Sequence, residues 1–116
     1  MTDRVTITML DGGIADVRMN RPDKMNALDP DQWRALADAI DALKAAVGLR
    51  VVVLSGEGRA FCAGLDLASM AGNREPGASS LGSSLADRTR GIVNDMQYVA
   101  WGWRELPVPV IAAVHG

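Results

Sequence analysis

The sequence predicts an α/β chain in which a hairpin feeds a crossover helix that returns the backbone to a parallel strand. Three observations carry this reading: two alternating segments around Asp11-Gly12-Gly13, an amphipathic stretch introduced by Asp29-Pro30-Asp31-Gln32, and the apolar, β-branched run Val51-Val52-Val53-Leu54. Strand, helix and strand in that order imply a right-handed crossover within one sheet.

Val5, Ile7 and Met9 alternate with Thr6 and Thr8, and Ala15, Val17 and Met19 alternate with Asp16 and Arg18. Period-two alternation on both sides of a turn signal reads as a hairpin with one buried face. Pro22 ends the second strand, so residues 21–26 form a loop. Asp29 then caps a helix, Pro30 sits in the first turn where no amide hydrogen is needed, and Gln32 can bond back to the cap. Trp33, Leu36, Ala37, Ile40, Leu43 and Val47 form its apolar face, and Gly48 marks the left-handed end. The run from Val51 is short and apolar throughout, as expected of a parallel strand covered on both faces.

Beyond Gly56-Glu57-Gly58 a short helix is expected over Asp66 to Ala71, entered through the Ala63-Gly64-Leu65 turn. Residues 72–84 change to Gly, Ser and Pro and read as a mobile insertion between periodic segments. Leu85, Ile92, Met96, Val99 and Trp103 place a second long helix before Pro107 and Pro109. Val110 to Val114 then reads as another buried strand.

Composition narrows the function classes. Apolar residues make up 48% of the 116 positions, a globular proportion. Twelve basic and 14 acidic residues leave a net charge of −2 with no basic stripe. Nucleic acid and anionic membrane surfaces are therefore not expected partners. A lone cysteine, Cys62, cannot close an internal disulfide, so a reducing, cytoplasmic setting is expected. Neither a signal peptide nor a membrane span is expected.

The chemistry concentrates in Gly58-Arg59-Ala60-Phe61-Cys62-Ala63-Gly64-Leu65-Asp66-Leu67. Small residues at 63 and 64 allow close approach to the backbone, and amides at the start of the following helix would face outward and favour negative charge. The bland alternative is a tight turn with Asp66 as a helix cap. Other sharp readings fall away. Gly56-Glu57-Gly58 would need a third glycine where Phe61 stands to make a dinucleotide fingerprint. Cys62 reads as a small buried hydrophobe, His115 as structural, and Trp101 and Trp103 as core or subunit-contact residues. No metal ligand set is expected.

Phe61-Cys62-Ala63-Gly64-Leu65-Asp66-Leu67 resembles the oxyanion-hole motif of the crotonase (enoyl-CoA hydratase/isomerase) superfamily. Arg21-Pro22-Asp23-Lys24-Met25-Asn26-Ala27-Leu28 resembles the loop with which that family wraps coenzyme A, and Pro107 to Gly116 resembles the strand that follows. The three occur in the family's order and cover nearly the whole chain. The resemblance implies the crotonase-like spiral of repeated β-β-α units, with residues 1–116 as its N-terminal part and the C-terminal half absent.

It further implies binding of acyl-CoA thioesters and stabilisation of a thioester enolate by the Leu65 backbone N–H. Lys24, Met25, Ala27, Ala63, Gly64, Leu65, Asp66 and Leu67 would line the substrate path; Lys24 either faces the phosphates of coenzyme A from its loop or is an ordinary solvated loop lysine. No separate cofactor is implied, since coenzyme A is part of the substrate. The second oxyanion donor and the acidic proton-transfer residues would lie beyond Gly116, so the isolated chain is expected to be inactive. The implied activity of the intact protein is enoyl-CoA hydration, in a trimer or hexamer of like chains. Dienoyl-CoA or enoyl-CoA isomerisation is the rival activity, and a shortened non-catalytic binding or oligomerising module the rival class.

Overall fold

The computed structural model describes residues 3–71 and 94–116. The first two strands, β1 (Val5–Leu10) and β2 (Ile14–Met19), form the expected antiparallel hairpin. A single 3-10 turn at Pro22–Lys24 follows, then α1 (Pro30–Lys44) and β3 (Val51–Gly56). A five-residue helix, α2 (Leu67–Ala71), precedes α3 (Asp95–Trp101), a 3-10 turn at Gly102–Glu105 and β4 (Val110–Ala112). The strands lie side by side in chain order, antiparallel between β1 and β2 and parallel from there on.

Helix α1 begins where its capping signal puts it. The Asp29 carboxylate accepts from the Gln32 N–H at 2.8 Å, and Pro30 occupies the first turn. Leu36, Ala37, Ile40 and Leu43 are buried on one face. The helix is shorter than the periodicity predicts, however: it closes at Lys44, so Val47 lies outside it at 96% exposure and Gly48, although left-handed, is not its cap.

The sheet buries Ala15, Val17, Val52 and Leu54 against Leu43 and Leu106, with Phe61, Trp103 and Val110 packed at the margin. Two expectations need correction here. Ile7 and Met9 are not buried with Val17, because β1 is an edge strand and only Val5 at its start reaches the core. Likewise β4 is an edge: Ile111 is 55% and Val114 70% exposed, so the apolar run after Pro109 is paired on one side only.

The second long helix is also different from its periodic pattern. Asn94 and Gln97 form a reciprocal capping box, each side chain taking the other's backbone N–H, and this starts α3 at Asp95. Leu85 and Ile92 of the expected apolar face, and the 72–84 insertion, lie outside the described residues. Tyr98, which that face did not include, is buried at 3% against Ala37 and Ile40, and its hydroxyl donates to Asp41 at 2.6 Å. No helix among the described residues is long and apolar enough to cross a membrane.

Candidate active site

Two loops leave the same end of the sheet and clasp each other: residues 20–29 after β2, and residues 57–66 after β3. Asn26 ties them first. It is fully buried with φ of 56°, and its amide nitrogen donates to Glu57 O at 3.1 Å and Ala60 O at 2.9 Å while its carbonyl accepts from the Arg21 N–H at 2.8 Å. Every hydrogen-bonding direction of this side chain that the fold supplies is used, as burial of an amide requires. Gly58 is held from the same side, since a Cβ there would stand 2.8 Å from Pro22 Cβ.

Charge forms the second tie. The Arg21 guanidinium bonds Asp66 at 2.8 Å and the Ala27 carbonyl at 3.1 Å, and lies 3.4 Å from Asp29, which Arg4 grips from the other side at 3.0 Å. Arg4, Asp29, Arg21 and Asp66 thus alternate in sign along one partly buried row. Arg21 first, then the Ser69 amide, holds the Asp66 carboxyl below the ordinary carboxylate range. At Asp29 burial works in the opposite direction, but the bonds from Arg4 and the Gln32 amide, with the charge of Arg21, outweigh it and the net shift is downward.

The third tie is a parallel β-bridge between Leu28 and Leu65. Leu28 N–H donates to Gly64 O at 2.7 Å, and Leu28 O accepts from Asp66 N–H at 2.9 Å. In a parallel bridge the residue lying between the two bonded neighbours turns its own N–H and C=O to the opposite side. That residue is Leu65, and none of the described residues accepts its N–H. Gly64, with φ of +92°, makes the bend that turns this amide outward. Upstream, Ala63 N–H donates to Met25 O at 2.9 Å, and Phe61 N–H to His115 O at 2.9 Å.

The residues expected to line the path fall into two groups. Ala63, Leu65 and Leu67 are exposed around the bend, Leu65 at 46% and Leu67 at 79%, and Lys24 is exposed on the facing turn. Met25, Ala27, Gly64 and Asp66 serve instead through the backbone or from behind it. Ala27 is buried, and Asp66 is turned inward onto Arg21, where its other oxygen also accepts from the Ala68 and Ser69 amides. The outward amides expected at the helix start are therefore not what the structure offers, because Asp66 takes two of them and α2 has only five residues to align. The amide that the Leu28 bridge turns outward is that of Leu65, before the helix.

Cys62 is half-buried rather than buried. Asn26, Arg21 and Leu28 are the organisers that sequence reasoning did not single out, although a polar Asn between apolar Met25 and Ala27 was the available signal. Among the described residues no three His, Cys, Asp or Glu side chains converge to hold a metal.

An α/β sheet that clasps two loops at one end of its strands presents the Leu65 N–H, which no described residue accepts, beside the exposed side chains of Leu65 and Leu67. Comparison with known proteins identifies its kin. The family profile described as enoyl-CoA hydratase/isomerase matches residues 10–116, and the chain belongs to that family. It is 30% identical over 114 residues to the mitochondrial Delta(3,5)-Delta(2,4)-dienoyl-CoA isomerase of Mus musculus, covering 98% of this chain and 35% of that protein. It is 38% identical over 112 residues to the (7aS)-7a-methyl-1,5-dioxo-2,3,5,6,7,7a-hexahydro-1H-indene-carboxyl-CoA hydrolase of Mycobacterium tuberculosis, covering 97% of this chain and 41% of that one.

Among solved structures, an enoyl-CoA hydratase/isomerase from Xanthobacter autotrophicus Py2 superposes with a TM-score of 0.77 at 29% identity, covering 97% of this chain and 39% of its own. The fold is accordingly the crotonase fold. The chain corresponds to its N-terminal portion and spans about two-fifths or less of the length of these relatives.

Proposed function

We propose that the intact protein binds acyl-CoA thioesters and stabilises the enolate formed from them, with the Leu65 N–H as one of two oxyanion donors. The observation that supports this reading is the outward Leu65 amide, which no described residue accepts, on a bend tied by the Leu28 bridge. Negative charge develops on the thioester oxygen as a proton leaves the adjacent carbon, or as water adds to a conjugated double bond. A donor fixed before the reaction needs no reorganisation when that charge appears, and one such donor is worth about 2.7–4 kcal/mol of barrier. Arg21, Asp66 and Asn26 act here by holding the bend still.

Enoyl-CoA hydration is the activity we assign to the intact protein, in a trimer or hexamer of like chains and a cytoplasmic setting. The likeness to a dienoyl-CoA isomerase keeps isomerisation as the second reading. Among the described residues no proton-transfer group is aimed at the Leu65 N–H, and the 116 residues alone are expected to bind without turnover. The test is to offer the intact protein a short 2-enoyl-CoA and a 3,5-dienoyl-CoA and to follow loss of each conjugated chromophore. Consumption of the first supports hydration, consumption of the second alone supports isomerisation, and no binding of either thioester overturns the reading.

A further inference from the structure

His115 lies at the far end of β4, outside both clasping loops, and it is bonded to the oxyanion loop twice. Its backbone carbonyl accepts from Phe61 N–H at 2.9 Å, and its ring Nε2 lies 2.9 Å from Gly58 O. A carbonyl only accepts, so Nε2 carries the hydrogen, as it does in one neutral tautomer and in the imidazolium alike. The two bonds bracket Gly58–Phe61 from the β4 side, just as Asn26 holds Glu57 O and Ala60 O from the β2 side. Between them the two side chains hold three carbonyls of one short turn: Glu57 O, Gly58 O and Ala60 O.

The geometry gives this turn a function. Between the Phe61 N–H, which donates to His115 O, and the Leu28 bridge, the backbone bond given by the described residues is from Ala63 N–H to Met25 O. The direction of the Leu65 amide is therefore fixed at its upstream end by wherever residues 58–61 are pinned. Gly58 itself has φ of +89°, open to several backbone settings if its carbonyl were released. We infer that His115 is a positioning residue for the oxyanion donor: its Nε2–H, through Gly58 O, fixes the turn that aims the Leu65 N–H at the thioester oxygen. The inference rests on the proposed role of Leu65. It gives the single histidine of the chain a part in the reaction without any transfer of its proton.

The test compares His115→Gln, whose side-chain amide can place a donor near Nε2, with His115→Leu, which removes the donor and keeps bulk. Both are made in the intact protein. Two quantities are read: steady-state kcat and KM, and the carbonyl stretch of a bound, isotope-labelled, unreactive acyl-CoA thioester. A donor displaced by a fraction of an ångström to an ångström costs about ten- to a hundredfold in kcat. The leucine variant is expected to lose that much kcat with KM within about twofold, and to lose most of the carbonyl shift, while the glutamine variant restores both.

A leucine variant with the wild-type carbonyl shift and kcat overturns the inference and leaves the oxyanion reading intact. So does a glutamine variant as impaired as leucine. If the wild-type protein itself shows no carbonyl shift on binding, the reading of Leu65 fails first. A leucine variant that does not fold is replaced by His115→Phe, judged by the same carbonyl shift.

Discussion

The bend at residues 57–66 and the strand at 110–114 face opposite situations. Around the bend, Asn26, Arg21, Leu28, Met25 and His115 match carbonyls or amides of both loops, and the Leu65 N–H has no acceptor among the described residues. Along β4 the side facing β3 is paired, but Ile111 and Val114 stand in the open. The bend is finished by residues close to it in space and needs nothing more to hold its shape. The edge strand leaves apolar surface exposed. A hydrogen-bonded bend can thus be well fixed in a portion of a fold whose apolar surface is not fully covered.

The largest effect should come from the amide itself. Leu65→Pro removes the N–H and should lower kcat of the intact protein by about 10²–10³-fold, whereas Leu65→Ala keeps it and should stay within about threefold. Steady-state kinetics of the pair separates backbone from side chain. Equal losses in both would mean that the side chain, and not the bend, does the work.

Next is the clasp. Asn26→Ala strips partners from two carbonyls and one N–H in a buried setting and should destabilise the fold by about 2–4 kcal/mol in denaturant unfolding. A conservative surface change such as Val47→Thr should move stability by under about 0.5 kcal/mol.

Acid should loosen the same region. Asp29 and Asp66 both have folded pKa values below their ordinary 3.8. Their contribution is therefore present in full above about pH 4 and is lost as pH falls through the lowered values. Thermal melts should show a Tm that is flat from neutral pH to about 5 and drops below 4, with a shallower drop in Arg21→Met. The smallest effect belongs to the edge. Ile111→Lys should change the unfolding free energy of the 116-residue chain by less than about 1 kcal/mol, but should reduce its self-association in sedimentation measurements.

Much of this was legible in the residues. Asp29-Pro30-Asp31-Gln32 placed the start of α1 to the residue, because a cap is decided by a few neighbouring side chains. The hairpin followed from alternation around the Asp11-Gly12-Gly13 turn, and the parallel β3 from the unbroken apolar, β-branched run Val51-Val52-Val53-Leu54. Helix α3 was misplaced for an instructive reason: apolar spacing from 85 to 103 ran through its start, while Asn94 and Gln97 mark the cap by only two polar side chains. The exposure of Ile7, Met9 and Ile111 could not be read from alternation, since period tells which face a side chain takes and not whether anything lies over it. At the site, the resemblance pointed to Leu65. The inward turn of Asp66 onto Arg21 depends on partners 45 residues apart, and no local pattern displays such a pairing.

The account turns on whether the Leu65 N–H meets a thioester oxygen, and the amide can be watched directly. With leucines labelled by nitrogen-15, an unreactive acyl-CoA thioester should move the Leu65 amide proton downfield in the intact protein, while that of Leu28, already bonded to Gly64 O, stays in place. Saturable binding that leaves the Leu65 resonance unmoved would contradict it.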